Sequence, residues 1–188
     1  MSNIVSALPG AAYEGYVRIE EMGLQGMITL RGDLSASRVK KAVKTVAGVD
    51  VPGQRGIAHA GDTGAAWMSP DELLLLMPYA QVEDTLATLA EALAEEHHLA
   101  VNVSDARAMF RVHGAAAREI IAKLCPVDMT PGAFGPGRIR RTRMAQVAAA
   151  LWMTDEETVQ VVCFRSVAEY VFNLLRDAAE PGGEVGAF

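Results

Sequence analysis

The sequence is poor in the residue types that mark several common classes of protein. It contains only two cysteines in 188 residues, Cys125 and Cys163, and they form no C-x-x-C pair. Both lie among apolar residues, which predicts buried, reduced thiols rather than a redox or metal centre. No apolar run approaches the roughly 18 residues of a membrane-spanning helix. Residues 1–10 lack the basic and apolar segments of a signal peptide, so we expect a cytoplasmic protein with no membrane partner.

Positive charge is also scarce, because 17 Lys and Arg residues stand against 23 Asp and Glu residues, which gives a formal net charge of −6. A nucleic-acid partner is therefore not expected, since such proteins present a strongly basic face. The same balance argues against docking on anionic lipid. In contrast, the hydrophobic share of 51% excludes disorder over most of the chain and supplies enough apolar surface for a core.

Between the two ends of the chain, one order of predicted elements occurs twice. The first half begins with a short strand that ends at Gly32, followed by an amphipathic helix, a hairpin turn at residues 69–72 and a second amphipathic helix. A strand that ends at Gly114, about 80 residues later, begins the same order again. Its hairpin turn lies at residues 154–157. A strand near residues 99–103 completes the first half.

The repeat predicts an α+β fold, a pseudo-symmetric duplication of two ferredoxin-like β-α-β-β-α halves. The predicted divisions are an extended N-terminal arm at residues 1–23, a first α+β half at residues 24–104, a second α+β half at residues 105–180 and a flexible tail at residues 181–188. Trp67 and Trp152 precede the two hairpin turns, and we expect them to pack at corresponding places. Coincidence is the alternative explanation, because small α+β units share such patterns.

Few polar side chains are spaced as catalytic or metal-binding groups. His97 and His98 follow two glutamates at the predicted end of a helix, a position where imidazoles are favourable, and further ligands at a metal-binding spacing are missing. His59 lies in a glycine-rich loop and His113 near a strand end, and neither has an obvious nucleophile as a partner. The residues themselves therefore predict no self-contained active site.

Residues 138–143 form the one concentrated basic segment. If this segment enters a strand, Arg141 and Arg143 share one face of it and the other two arginines share the opposite face. Such side chains can serve as a solvated edge that discourages aggregation between strands. They can also bind carboxylates of a partner or a ligand through bidentate contacts. The candidate subunit interface consists of Arg138, Arg140, Arg141 and Arg143.

Five segments carry more specific local motifs. They are residues 67–75, 101–107, 111–129, 142–147 and 165–170. The W-x-S-P-D-E motif from Trp67 and the C-P-x-D motif from Cys125 are the most specific, and the region before Trp67 matches loosely. In this order, the segments resemble the gamma subunit of heterotetrameric sarcosine oxidase.

The resemblance implies a diverged relative of the aminomethyltransferase (glycine-cleavage T-protein) folate-binding fold. Those transferases carry a Gly-Gly-x-x-Asp-Asp-like stretch on the strand that corresponds to residues 145–153, and its first aspartate contributes to folate chemistry. The present sequence reads Ala148-Ala149-Ala150-Leu151-Trp152 there. A protonated amine or iminium would find no carboxylate to pair with. We therefore predict no catalytic, cofactor-binding or metal-binding residue on this chain.

The resemblance further implies a non-catalytic subunit of a complex that oxidises sarcosine to glycine and hydrogen peroxide and passes the one-carbon unit to tetrahydrofolate. FAD, FMN and NAD would belong to the larger alpha and beta subunits and a structural zinc to the small delta subunit. We expect a scaffold that contacts the alpha, beta and delta subunits. Two alternatives are a stand-alone folate- or amine-binding module that uses the cleft between the two halves, and a small-molecule sensor.

Overall fold

Residues 4–188, the part of the chain that the computed structural model describes, form eleven strands and four α-helices. The helices are α1 (Ser37–Ala47), α2 (Val82–Ala92), α3 (Ala117–Leu124) and α4 (Ala168–Ala178). The strands are β1 (Ala12–Glu14), β2 (Arg18–Glu21), β3 (Gln25–Gly32), β4 (Ile57–Ala60), β5 (Thr63–Ser69), β6 (Glu72–Pro78), β7 (His98–Asn102), β8 (Arg107–His113), β9 (Ile139–Met144), β10 (Val147–Asp155) and β11 (Thr158–Phe164). Residues 1–3, the start of the predicted N-terminal arm, lie outside the described residues.

The chain divides into two compact units. The central unit is Leu24–Ser104, and the terminal unit combines residues 4–23 with Asp105–Phe188. The predicted N-terminal arm therefore contains β1 and β2 and forms part of the terminal unit. None of the helices in residues 4–188 is long and apolar enough to cross a membrane.

The central unit is an antiparallel sheet with two helices on one face. Its strand order is β4-β5-β6-β3-β7. The run Leu73–Met77 is buried along its whole length, and β6 lies inside the sheet between β5 and β3. Its Leu73 and Leu75 share a core with Val43 of α1 and Leu89 of α2. Helix α1 ends where Gly48 adopts a left-handed conformation, with φ of 70°.

The terminal unit is a six-stranded sheet in the order β1-β2-β8-β11-β10-β9, also antiparallel, with α3 and α4 against one face. Its core joins Phe110 and Leu151 of the sheet to Ile120 of α3 and Val171 of α4. Strand β2 comes from the N-terminal residues and pairs with β8, with Ile19 opposite Val112. The observed architecture is thus a mixed fold of helices and two antiparallel sheets.

Between its two helices, each unit contains three strands where the predicted β-α-β-β-α order has two, and the additional strand lies at one edge of the sheet. Strand β4 covers four residues in a glycine-rich stretch, where glycine favours turns and shortens any alternating pattern. Strand β9 is the arginine segment, so the condition under which Arg141 and Arg143 share a face is met. Strand β7 begins at His98, so this histidine lies in a strand rather than at a helix end, and its Nδ1 is 3.0 Å from the carbonyl oxygen of Glu96.

The two tryptophans do not occupy equivalent positions, so that prediction was wrong. Trp67 pairs with Leu73, the first cross-strand pair after the two residues that close the hairpin. Trp152 pairs with Gln160, which is the second such pair in its own hairpin. Met153 holds the position that corresponds to Trp67. Since strand side chains alternate between faces, an offset of one residue reverses the face. Trp67 is partly buried on the helix side of its sheet, and Trp152 is fully buried on the side away from α3 and α4.

The C-terminal residues contain no helix or strand, but they contact one buried side chain. Glu119 Oε1 accepts the N–H of Val185 at 2.8 Å, and Oε2 accepts the N–H of Gly186 at 2.8 Å. The hydroxyl of Tyr16 donates to Oε1 at 3.1 Å, and Lys123 Nζ lies 3.1 Å from the same oxygen. The prediction of a flexible tail did not include these contacts.

Candidate functional site

An open pocket of about 540 Å³ lies on the terminal unit. The register of the sheet arranges its side chains in two rows. Arg18 of β2 lies opposite His113 of β8, which lies opposite Thr158 of β11, and Thr158 lies opposite Asp155 of β10. The second row is Glu20, Arg111 and Gln160 on β2, β8 and β11. We call this site the polar pocket.

The polar pocket lies on the sheet face away from the helices. The residues between the two rows are Ile19, Val112 and Val159, and all three are fully buried in the core that contains α3 and α4. Because neighbouring side chains of a strand point to opposite faces, the charged residues of the rows point away from that core.

Glu20 lies between two arginines. Arg18 Nε donates to its Oε2 at 3.1 Å, and Arg111 Nη1 donates to its Oε1 at 2.7 Å. The hydrogen bond from Arg18 lowers the pKa of Glu20; burial opposes this effect and the charge of Arg111 adds to it. Arg18 also pairs with Glu14. Glu20 is therefore a carboxylate that holds two guanidinium groups in fixed positions.

The second acidic side chain of the pocket is also kept ionised. Burial acts to raise the pKa of Asp155, but hydrogen bonds from the Glu157 N–H and from the hydroxyls of Thr158 and Thr154 outweigh it and lower the pKa. The Glu157 N–H lies 2.9 Å from Asp155 Oδ1. Thr158 Oγ1 also lies 2.9 Å from His113 Nδ1. This end of the pocket is thus a connected polar network.

The hydroxyl groups that line the pocket belong to Thr154 and Thr158. Neither serine nor cysteine lines it. Cys125 and Cys163 lie in the core, as the sequence predicted, and burial raises the pKa of each thiol to about 12. They are therefore protonated and unreactive at neutral pH. Among residues 4–188, no three His, Cys, Asp or Glu side chains come together as metal ligands.

The arginine segment forms β9 at one edge of the six-stranded sheet. Arg141 and Arg143 are exposed and share a face, opposite Ala150 and Ala148 of β10. The Arg143 Nη2 donates to Gln146 Oε1 at 2.9 Å.

The other two predicted interface arginines contact the preceding loop. Arg140 is half-buried, and its guanidinium carbon lies 5.3 Å from the centre of the Phe134 ring. Arg138 comes just before the strand, and its Nη1 donates to the carbonyl oxygen of Ala133 at 2.8 Å. None of the four arginines lines the polar pocket. Arg138 and Arg140 thus contact the preceding loop, whereas Arg143 contacts Gln146 on the other side of the strand's C-terminal end.

Strand β10 shows why a folate site of the transferase kind does not fit. Its side chains alternate between the core, with Leu151 and Met153, and the opposite face, with Ala150 and Trp152. No carboxylate occurs between Val147 and Thr154, and Trp152 is fully buried. The carboxylate that the resemblance to the transferases implies for this strand is therefore missing from β10.

Sequence reasoning missed the polar pocket. Glu20 and Arg111 are far apart in the chain, and no motif spacing connects them. The available signal was the alternation of polar and apolar residues in Arg18-Ile19-Glu20 and in Arg111-Val112-His113, which indicates two strands with one polar face each. It does not indicate that the two strands are neighbours.

Comparisons with known proteins identify first the class of fold. Aminomethyltransferase T of the glycine cleavage system from Bartonella henselae superposes with a TM-score of 0.64 at 9% identity, covering 87% of this chain and 46% of that chain, and this likeness shows the fold alone. One chain of the heterotetrameric sarcosine oxidase from Corynebacterium sp. U-96, in complex with pyrrole 2-carboxylate, superposes with a TM-score of 0.80 at 28% identity. That match covers 90% of this chain and 87% of that chain.

The family follows from the sequence matches. The model of the sarcosine oxidase, gamma subunit family matches residues 31–181. The sarcosine oxidase subunit gamma of Corynebacterium sp. (strain U-96) is 30% identical over 182 residues, which cover 94% of this chain and 87% of the relative. The chain belongs to the sarcosine oxidase gamma subunit family, and the resemblance drawn from its local motifs is confirmed.

Proposed function

We propose that this chain is the gamma subunit of a heterotetrameric sarcosine oxidase, which oxidatively demethylates sarcosine to glycine and hydrogen peroxide and transfers the one-carbon unit to tetrahydrofolate. The observation that carries the proposal is the TM-score of 0.80 against a chain of the heterotetrameric enzyme, over 90% of the present chain. The family match over residues 31–181 supports it independently.

The proposed role within the complex is structural. The chain would contact alpha, beta and delta subunits, and FAD, FMN and NAD would lie on those partners. Two observations support a non-catalytic role. Strand β10 carries no carboxylate between Val147 and Thr154, and both cysteines are buried with a pKa of about 12.

We also propose that the fold derives from duplication of a ferredoxin-like half. The central sheet has the order β4-β5-β6-β3-β7, and five neighbouring strands of the terminal sheet have the order β9-β10-β11-β8-β2. The two orders agree strand by strand when β2 takes the place of β7. The support comes from the strand order in space and not from the order along the chain, because β2 comes before β8 whereas β7 comes after α2.

Co-expression tests the subunit role. The tagged chain is expressed together with alpha, beta and delta chains of a sarcosine oxidase and purified through the tag. We expect flavin-coloured partners to copurify in a single sizing-column peak. A chain that elutes alone under these conditions, and that binds tetrahydrofolate tightly in a direct titration, would instead be the stand-alone folate-binding module.

The exposed arginine pair is the proposed contact with acidic groups of a partner subunit. We expect the double change Arg141→Ala and Arg143→Ala to reduce the yield of the complex and to leave the isolated chain folded, because both side chains are exposed on an edge strand. The yield is measured on a sizing column, and the fold by circular dichroism and the melting temperature.

The matched control removes the same charge elsewhere. Arg38 is exposed and Arg176 is half-buried, and their side chains pair with Glu95 and Asp177. The double change of this pair to Ala should leave the complex yield unaltered. Equal yields for the two double variants would contradict the proposed contact.

A further inference from the structure

The polar pocket is lined by Gln160, a residue that is 9% exposed. No hydrogen bond within residues 4–188 involves its side-chain amide, which faces the open pocket beside Arg111. A ligand in the pocket would supply hydrogen bonds to this amide.

Arg111 places further donors beside this amide. Its Nη1 donates to Glu20, and within the described residues its Nε and Nη2 have no partner. Arg111 and Gln160 lie directly opposite one another in an antiparallel pair, where Cβ atoms are about 4.5–5.5 Å apart. One small molecule can therefore contact both side chains.

His113 brings a third group to the same face. It follows Arg111 by two residues along β8, so both side chains point into the pocket. Its Nδ1 is engaged with Thr158 Oγ1, and its Nε2 has no partner among the described residues. The free Nε2 is thus a ring nitrogen that a ligand can reach together with the guanidinium group of Arg111 and the amide of Gln160.

N–H groups of Arg111 and Gln160 have no acceptor within residues 4–188, whereas the carboxylate oxygens of the pocket already accept hydrogen bonds. Both oxygens of Glu20 accept hydrogen bonds from arginines, and Asp155 accepts the Glu157 N–H and threonine hydroxyls. A ligand that supplies acceptor oxygens would therefore complement the N–H groups of Arg111 and Gln160. A carboxylate has two acceptor oxygens in one plane, and a guanidinium group binds it through two parallel hydrogen bonds.

We propose that the polar pocket binds the carboxylate group of a small organic acid, with Arg111 and Gln160 as its donors and His113 beside them. The inference goes beyond the proposed subunit role, because an assembly surface needs no small ligand. It depends only on the terminal unit, so a failure of the subunit proposal would leave it unaffected.

The test is a titration of the full chain with small ligands at constant ionic strength, and two-dimensional NMR spectra monitor each step. The probes are sodium acetate and sodium succinate, and acetamide is the neutral control of nearly the same shape as acetate. We expect the carboxylates to shift the resonances of the His113 ring and the Gln160 side-chain amide in a saturable way. Acetamide should not shift them. Equal shifts from acetate and acetamide, or none from either carboxylate, would overturn the proposal.

Two variants test the assigned donors. Arg111→Lys keeps the charge and loses the planar fork, so succinate should bind about tenfold more weakly. Gln160→Leu keeps the approximate volume and removes the amide, with a loss in the same direction. Arg138→Lys, outside the pocket, is the matched control and should bind like the unchanged chain. Unchanged affinity in both pocket variants would overturn the assignment.

A third arm distinguishes a small molecule from an acidic side chain of a partner subunit, which would present the same chemistry. The succinate titration is repeated on the assembled complex, with binding detected by isothermal calorimetry. Retained affinity in the complex supports a small-molecule ligand. Complete loss of binding on assembly would overturn it, because a partner subunit would then fill the pocket.

Discussion

A single buried carboxylate, Glu119, connects three separate stretches of the terminal unit. It accepts hydrogen bonds from Tyr16 of the N-terminal residues and from the backbone of Val185 and Gly186, and it pairs with Lys123 one helical turn away. The Val185 N–H has the largest effect on its pKa. Despite the opposing effect of burial, this bond, Lys123 and the Gly186 N–H together lower the pKa from 4.5 to about 2.

The low pKa of Glu119 predicts a pH-dependent stability. The folded carboxyl group binds protons less readily than the unfolded one, so its contribution to the free energy of unfolding is complete above pH 4.5 and is lost as the pH falls towards about 2. We expect Glu119→Gln to unfold at a lower urea concentration at neutral pH and to lose less stability on acidification than the unchanged chain. Urea denaturation at a series of pH values measures both effects.

The control for this prediction is Glu169→Gln on α4, an exposed position. This variant should follow the pH profile of the unchanged chain. A Glu119→Gln profile parallel to that of the unchanged chain would show that the tail contacts do not stabilise the carboxylate.

Single residues also show the limit of sequence reasoning. The burial of Cys125 and Cys163 was predicted, because apolar neighbours are visible in the sequence. The pairing of Glu20 with Arg111 was not predicted, since it depends on two strands far apart in the chain becoming neighbours. The arginines of residues 138–143 lie between these cases. Their alternation is visible in the sequence, whereas the contacts with Ala133 and Phe134 depend on how the preceding loop folds back.

At the scale of elements, long periodic segments were predicted and short ones were not. The four helices and both hairpins have several apolar residues at the expected spacing. The four residues of β4 carry too little pattern, and glycines flank them. The tryptophans show a second limit, because a shift of one residue in the assumed register exchanged the two faces of a strand.

Close packing between elements predicts a sensitive glycine. Gly15 lies where the N-terminal residues meet the end of α4, and the N–H of Tyr16 donates to the carbonyl oxygen of Ala179 at 3.1 Å. A Cβ at Gly15 would lie 2.0 Å from that oxygen. We therefore expect Gly15→Ala to destabilise the protein by about 1–3 kcal/mol, because the backbone segments must move apart. The midpoint of chemical denaturation measures this change.

Gly135→Ala is the matched control in the same unit, because an added Cβ there has no atom within 4 Å. Its effect should stay within about 0.5 kcal/mol, as for most substitutions away from packed features. If the two alanine variants unfold at the same denaturant concentration, the approach to Ala179 does not constrain the fold.

At the scale of the whole molecule, the terminal unit is built from both ends of the chain. Strand β2 lies between β1 and β8, and Ile19 is fully buried in the core of this unit. The central unit lies between these ends in sequence and has its own sheet and core. Removal of the N-terminal residues should therefore affect the two units differently.

We expect deletion of residues 1–23 to increase hydrogen exchange at the β8 amides and to leave β3 and β6 protected, because β2 pairs with β8 and with no strand of the central sheet. Mass spectrometry of peptides from each unit measures the exchange. Ile19→Ala is a milder version and should cost about 2–5 kcal/mol. Unchanged protection of β8 in the deleted chain would contradict the prediction.

The sequence by itself determined the local features: the amphipathic helices, the two hairpins, the alternating arginines and the motifs that identify the family. These features depend on residues close together in the chain, where periodicity records which side chains are buried. Only the tertiary structure decided that β2 lies beside β8, that Glu20 meets Arg111, and that Glu119 contacts the C-terminal residues. Such pairings join distant segments, and their register determines which face each side chain occupies, so no local pattern specifies them.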